Sequence, residues 1–183
     1  MTESKDFLGS RVLWMKNGPR LKNNPSWTDW NRSNLGARGT VMSEDGKVLN
    51  GLVAAPFTPF NADFSLNLEV IDGFSKYLGS AGVKGVFVCG TTGEFPSLTM
   101  SERLLIAEAW AKVAHREGLK LVLHVGDNCL TNACELAAHA ASLPVDAISM
   151  VPPSYFKPGS VKELVNIFGQ VAHAAPSLPI YYY

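Results

Sequence analysis

Short apolar runs alternate with segments of helical length from Leu49 onward. The runs begin 26 to 35 residues apart, near Leu52, Val86, Leu121, Ala147 and Ile180. Three of them, "GVFVCG", "KLVLHVG" and "DAISMV", are apolar on both alternations, which is typical of strands covered on both faces of a sheet. Strands and helices in strict alternation predict parallel pairing through right-handed crossovers, and therefore an α/β fold.

Helix start signals stand between the apolar runs. Thr99 followed by Glu102 has the spacing of a capping box, in which two side chains satisfy the first free N–H groups of a helix. The same spacing recurs at Asn132 with Glu135 and at Ser160 with Glu163. Together with the one-sided apolar spacing after Asn67, these signals predict four helices.

Two architectures fit five strands and four helices in this order. One is an open, doubly wound sheet, and the other is the first part of a (β/α)8 TIM barrel, which typically needs about 250 residues. The fifth apolar run reaches Tyr183 without a covering helix after it in this sequence. We therefore predict a partial (β/α)8 barrel, its first five strands and four helices, over residues 49–183.

Residues 1–48 differ in character from the rest of the chain. They are rich in Lys, Arg, Asn, Gly and Ser, and Trp14, Trp27 and Trp30 are scattered without a helical or alternating period. An apolar signal-peptide core is missing, and Glu3 and Asp6 are unusual for a mitochondrial presequence. The interpretation is a mobile, disordered extension, and the alternative is a targeting or docking segment.

The composition excludes several classes of function. The chain has 16 basic and 16 acidic residues, so no basic excess indicates a nucleic-acid or anionic-membrane partner. No apolar run approaches the roughly 18 residues that span a bilayer. Its cysteines form no CxxC pair and its four histidines have no ligand spacing, which predicts reduced thiols, no metal site and a cytoplasmic protein.

A loop of small polar residues follows the second apolar run. Gly90 and Gly93 let the backbone turn tightly and expose its N–H groups, while Thr91 and Thr92 add two hydroxyls. The spacing is that of neither GxGxxG nor a P-loop, so a nucleotide is a poor candidate. Such a loop suits a carboxylate or another small anion, and the alternative is a turn whose threonines bond their own backbone.

Several motifs together carry a family resemblance over residues 51–183. "GLVAAPFTPF", "GVFVCGTTGE", "SER", "HVG", "PPSYFKP" and "PIYYY" resemble, in order and spacing, the N-acetylneuraminate lyase and dihydrodipicolinate synthase family of class I aldolases. Within that family, "HVG" and the tyrosine run resemble the sialic acid lyase branch, particularly its animal members. The resemblance implies a TIM-barrel enzyme of carbohydrate metabolism that cleaves N-acetylneuraminate (sialic acid) to pyruvate and N-acetylmannosamine without a cofactor.

The resemblance also implies roles for particular residues. Thr91 and Thr92, with the backbone at Gly90, match the seat of the pyruvate carboxylate, and Tyr183 matches the tyrosine that relays a proton during cleavage. Tyr155 matches a position that reaches into a neighbouring subunit in synthase relatives, and the family forms homotetramers. From the residues alone, Glu94 is interpreted as a brace of its loop, with a general acid as the alternative. His124 is interpreted as a hydrogen-bonded core histidine, with a position lining the barrel interior as the alternative.

The family's Schiff-base lysine lies on the sixth barrel strand, beyond the position of Tyr183. None of the lysines in this chain takes its place in the pattern, so the expectation is a C-terminally truncated lyase that is inactive alone. The alternatives are a non-catalytic product that binds full-length lyase subunits, a related pyruvate-dependent aldolase such as dihydrodipicolinate synthase, and a small-anion binding module built on an open sheet.

Overall fold

The computed structural model describes residues 49–183 in full and, before them, the backbone of two short strands. These two are β1 (Thr2–Lys5) and β2 (Arg11–Trp14). The strands that follow are β3 (Val53–Ala54), β4 (Gly85–Val88), β5 (Lys120–His124), β6 (Ala147–Met150) and β7 (Ile180–Tyr182). Between them lie four helices: α1 (Val70–Ser80), α2 (Met100–Val113), α3 (Leu130–Ala141) and α4 (Val161–Ala174).

All strands belong to one sheet in the order β1-β2-β7-β6-β5-β4-β3. From β3 to β7 every neighbouring pair is parallel, with Val86 opposite Leu121 and Leu123 opposite Ile148. A helix connects each of these strands to the next. The prediction of five parallel strands joined by four helices is therefore confirmed.

The two N-terminal strands form an antiparallel pair, and β2 then pairs in parallel with β7. The register places Val12 opposite Ile180 and Trp14 opposite Tyr182. The sequence analysis assigned no regular element to residues 1–48, whereas the structure describes these two short strands there. The disordered extension stays a prediction. The other residues of that segment, including Trp27 and Trp30, lie outside the described residues.

Alternate residues of the strands supply two separate cores. Val86, Leu121, Ile148 and Ile180 are buried on the face that packs against the helices, where they join Trp110 and other helical side chains. A smaller cluster on the opposite face contains Leu49, Val122, Ala147 and Tyr181. Because the strands are covered on both faces, they are apolar on both alternations, as the sequence pattern predicted.

The helix starts follow the predicted caps in two cases out of three. Thr99 forms a full capping box with Glu102, and Ser160 Oγ accepts the N–H of Glu163 at 3.2 Å. The helix start predicted at Asn132 is wrong, because α3 already begins at Leu130. The longest helices of the described residues have 14 residues, and none of the described helices has the length and apolarity to cross a bilayer.

An ion cluster joins the amino ends of β5 and β6. The Asp146 carboxylate accepts hydrogen bonds from Lys120 Nζ at 2.7 Å, from the Leu121 N–H at 2.8 Å and from His115 Nε2 at 2.6 Å. Burial raises the pKa of Asp146, but these hydrogen bonds outweigh burial and hold the pKa below its usual value. The cluster lies at the sheet edge opposite to the loop of Gly90–Gly93.

Candidate active site

The carboxyl ends of the parallel strands gather the residues that the sequence singled out. The loop of residues 90–94 follows β4, Gly126 and Asp127 follow β5, the stretch 152–155 follows β6, and Tyr183 follows β7. In a parallel α/β sheet this edge is where ligands bind. The topology therefore brings these loops to one side of the molecule.

The threonine loop, residues 90–94, follows one residue with left-handed backbone conformation and ends on another. Cys89 has φ 55° and Glu94 has φ 59°, which is unusual for residues other than glycine. The turn is closed by the Glu94 N–H, which donates to the Thr91 carbonyl at 3.0 Å. Thr91 and Thr92 are exposed between the buried Gly90 and Gly93, so their side chains project at the carboxyl edge of the sheet.

Both glycines of the loop are required by close approach. A Cβ atom at Gly90 would lie 2.6 Å from the ring of Phe87, and one at Gly93 would lie 3.2 Å from the backbone of Cys89. The Gly93 carbonyl also accepts a buried hydrogen bond from Thr58 Oγ1 at 2.7 Å. This bond ties the threonine loop to the chain that follows β3.

The tyrosine run alternates between the two faces of β7. Tyr181 is buried in the inner cluster, whereas Tyr182 packs towards the helices with its ring 5.4 Å from that of Phe168. Tyr183 turns back to the inner side, where its ring lies 5.4 Å from Phe87. Phe87 thus contacts Tyr183 and also closes the space above Gly90, so the threonine loop and Tyr183 adjoin one aromatic ring.

His124 is a neutral, buried side chain below the loops. Its Nε2 atom accepts the Val151 N–H at 3.2 Å, and its ring lies 4.3 Å from that of Phe95. Burial, together with the nearby positive charge of Arg103, lowers the pKa of His124 to about 3. These contacts agree with the interpretation of His124 as a hydrogen-bonded core histidine.

Arg103 is a buried cation that the sequence analysis did not single out. It is 2% exposed, and its guanidinium donates to the carbonyls of His124 at 2.7 Å and Gly126 at 3.0 Å. Its Nη1 also lies 3.4 Å from the Asp127 carboxylate. A sequence signal existed: the positions of Arg103, Ile106, Ala107 and Trp110 have the spacing of one buried helix face.

Tyr155 lies on the loop that follows β6 and is 80% exposed. Its ring makes an edge contact with Phe156 at 4.9 Å between centroids. The backbone of this loop is fixed by Asn128 Oδ1, which accepts the N–H groups of Ser154 and Tyr155 at 2.8 and 3.1 Å. The side chain therefore projects outward rather than joining the cluster around Phe87.

Two lysines lie at the amino face of the sheet, opposite to the threonine loop. Lys84 immediately precedes β4, and Lys120 begins β5, where it pairs with Asp146. Within residues 49–183, no three His, Cys, Asp or Glu side chains come together as metal ligands would. The threonine loop and Tyr183 together offer hydroxyls, backbone N–H groups and a phenol, a set that suits a small carboxylate better than a cation.

Comparison with known proteins agrees with this geometry. The profile of the Dihydrodipicolinate synthetase family matches residues 48–183. An N-acetylneuraminate lyase of Xenopus tropicalis is 48% identical over 143 residues, which are 78% of this chain and 47% of that protein. The chain thus spans about half the length of the curated relatives it matches.

Solved structures of two branches share the fold. The N-acetylneuraminate lyase of Aliivibrio salmonicida superposes with a TM-score of 0.72 at 44% identity, covering 75% of this chain and 45% of that one. The dihydrodipicolinate synthase of Aquifex aeolicus superposes with a TM-score of 0.68 at 30% identity, covering 74% of this chain and 45% of that one. These neighbours confirm part of a (β/α)8 barrel, and the chain belongs to the dihydrodipicolinate synthetase family.

Proposed function

We propose that residues 49–183 form the pyruvate-binding part of a class I aldolase that cleaves N-acetylneuraminate to pyruvate and N-acetylmannosamine. The observation that carries the proposal is the threonine loop, which exposes Thr91 and Thr92 at the carboxyl edge of β4 while Phe87 connects it to Tyr183. The names of the lyase relatives support the choice of substrate.

Each residue has a defined part in the proposed reaction. The hydroxyls and N–H groups of residues 90–93 hold the carboxylate of the pyruvate unit, because a buried or half-buried anion needs several donors. A lysine amine condenses with the ketone and releases water, and the resulting iminium accepts the electron pair of the breaking carbon–carbon bond. Tyr183 takes the proton from the hydroxyl whose carbon leaves with the sugar.

The amine must come from outside the matched region. The family resemblance assigns it to a sixth barrel strand, whereas the described parallel strands from β3 to β7 correspond to the first five. The proposal therefore includes that the 183 residues alone do not turn over sialic acid. Assembly as a homotetramer and a cytoplasmic location belong to the same proposal and rest on the family resemblance, with the three unpaired cysteines compatible with a reducing compartment.

A chimera tests the proposal directly. Residues 49–183 replace the matching half of the Xenopus tropicalis lyase, so that the remaining half supplies the lysine strand. We expect release of pyruvate from N-acetylneuraminate, lost on Tyr183→Phe but retained on the control substitution Tyr182→Phe. A folded chimera that binds no pyruvate and releases none would refute the proposal, and full activity of Tyr183→Phe would remove the assigned role of that phenol.

A further inference from the structure

Arg103 is a buried cation whose charge is balanced mainly by backbone carbonyls. Its charge lies beneath the carboxyl edge of the sheet, and burial lowers the pKa of the guanidinium, so the protein works against its charged form. The partners that compensate are mostly carbonyl oxygens at the end of β5, those of His124 and Gly126, with the single carboxylate of Asp127 more distant. The side chain therefore joins α2 to the end of β5.

The same guanidinium faces both flanks of the threonine loop. On the far side of the loop, the Phe95 ring lies under the guanidinium, with 5.5 Å between the Arg103 Cζ atom and the ring centroid. On the near side, Cys89 lines the same small cavity as Arg103 and His124, and burial raises the pKa of its thiol to about 11. Cys89 and Phe95 are the residues immediately outside the loop.

We propose that Arg103 is the positioning residue of the threonine loop. By holding Cys89 and Phe95 in place, it keeps the strained backbone at Cys89 and Glu94 in the conformation that exposes Thr91 and Thr92. Its relevance to pyruvate rests on the proposed function, whereas its effect on the loop does not.

The geometry explains why arginine is suited to this position. Nη1 donates to the Gly126 carbonyl while Nη2 donates to the His124 carbonyl, and only a planar fork reaches both acceptors at once. The flat guanidinium also stacks on Phe95, which in turn contacts the ring of His124 at 4.3 Å. A lysine at this position keeps the charge but loses the fork and the stacking.

Hydrogen exchange tests the effect on the loop. In Arg103→Met we expect the amide protons of Glu94 and Phe95 to exchange at least about tenfold faster than in the unchanged chain, after correction for global stability. The reference amide is that of Ala114, which donates to the Trp110 carbonyl at the far end of α2. In Arg103→Lys, which keeps the charge, we expect exchange rates between those of the unchanged chain and those of Arg103→Met. This variant provides the test if Arg103→Met does not fold.

A matched control separates positioning from general destabilisation. Ile106→Ala removes a buried side chain from the same helix, about one turn from Arg103. We expect it to lower global stability while the corrected exchange of Glu94 and Phe95 stays unchanged. The proposal would be overturned if the corrected exchange of Glu94 and Phe95 were the same in Arg103→Met as in Ile106→Ala. If only Arg103→Lys folds, that variant takes the place of Arg103→Met in the comparison.

Chemical rescue and pyruvate titration complete the test. Millimolar guanidinium added to Arg103→Ala should restore slow exchange of the loop amides, and it should leave Ile106→Ala unaffected. In the chimera, pyruvate should bind at least about fivefold more weakly when Arg103 is replaced by Met. If pyruvate does not bind the unchanged chimera, the proposed function fails, while the exchange comparison still decides the role of Arg103.

Discussion

Thr92 is exposed at the carboxyl edge of the sheet, between two glycines that are buried. If its hydroxyl donates to the carboxylate of pyruvate, Thr92→Val should weaken pyruvate binding by about 1–3 kcal/mol, because the bound anion loses a donor. Ser177→Ala is the control, since it removes an exposed hydroxyl from the turn before β7, at the opposite edge. Calorimetric titration of the chimera with pyruvate gives both values. Unchanged affinity in Thr92→Val would contradict the assignment.

Gly90 leaves no room for a side chain. A Cβ atom there would lie 2.6 Å from the Phe87 ring, so Gly90→Ala should destabilise the fold by about 1–3 kcal/mol. Adding Phe87→Leu should recover part of that loss, because the clash is with the ring. Gly169→Ala is the matched control in α4, where a Cβ meets nothing within 4 Å and stability should rise by roughly 0.5–1 kcal/mol. Urea unfolding of Gly90→Ala, Phe87→Leu, their double variant and Gly169→Ala measures these differences, and additive effects at Gly90 and Phe87 would contradict the explanation.

His124 makes stability depend on pH in a definite direction. Its folded-state pKa is lowered to about 3 by burial, from an ordinary value of 6.5. Between these two values the unfolded chain binds a proton at His124 and the folded chain does not. The free energy of unfolding is therefore unaffected by the protonation of His124 above pH 6.5 and falls as the pH is lowered from 6.5 towards 3. His124→Gln should flatten the fall in unfolding free energy between pH 6.5 and 4, while the exposed His173→Gln should not. Identical slopes in all three proteins would exclude this cause.

The surroundings of Arg103 could not be predicted from the sequence. Its spacing with Ile106 and Trp110 indicates a buried helix face, but the acceptors that make burial of a cation tolerable are carbonyls at the end of β5. Backbone carbonyls have no residue-type signature, so no sequence pattern marks them. Thr91, Thr92 and Tyr183, in contrast, were indicated by a motif. The Phe87 ring lies 5.4 Å from that of Tyr183 and packs against Gly90 of the threonine loop, while the roles of the three residues stay predictions.

At the scale of elements, apolar periodicity and capping residues predicted the five parallel strands and four helices. The error at Asn132 has a local cause. Asp127 Oδ1 accepts the N–H of Cys129 at 2.8 Å, and this turn directs the chain into α3 two residues before Asn132. A side chain that bonds its own neighbouring backbone competes with the capping pattern, and the sequence does not say which of the two signals prevails.

The pairing of β2 with β7 leads to a test of residues 1–14. In the described part of the chain, β7 lies between β6 and β2. Deleting residues 1–14 should therefore speed amide exchange at residues 180–182 and promote self-association, because an uncovered strand edge offers its N–H and C=O groups to other chains. Exchange and light scattering of the two chains measure this. Identical behaviour would instead support the interpretation of residues 1–48 as a dispensable extension.

At the scale of the whole molecule, the family relationship predicts a division of the chemistry between two halves of a barrel. The 183-residue chain, incubated with pyruvate and borohydride, should gain no mass, whereas the chimera should gain that of a reduced pyruvate adduct. The reason is that, in the proposed reaction, the iminium forms on a lysine of the sixth barrel strand. Intact-mass measurement decides this, and a stable adduct on the 183-residue chain would show that one of its own lysines forms the Schiff base.

The Asp146 cluster has a consequence for how this barrel segment tolerates change. It anchors β5 and β6 at the amino end of the sheet, while the left-handed backbone at Cys89 and Glu94 stands at the carboxyl end. If the proposed pyruvate site is correct, the contacts that stabilise these strands and the groups that bind the ligand lie at opposite ends of the sheet. Substitutions that strengthen the Asp146 cluster can add stability without changing the residues of the proposed pyruvate site. The added stability can then offset destabilising substitutions near the threonine loop that change substrate preference.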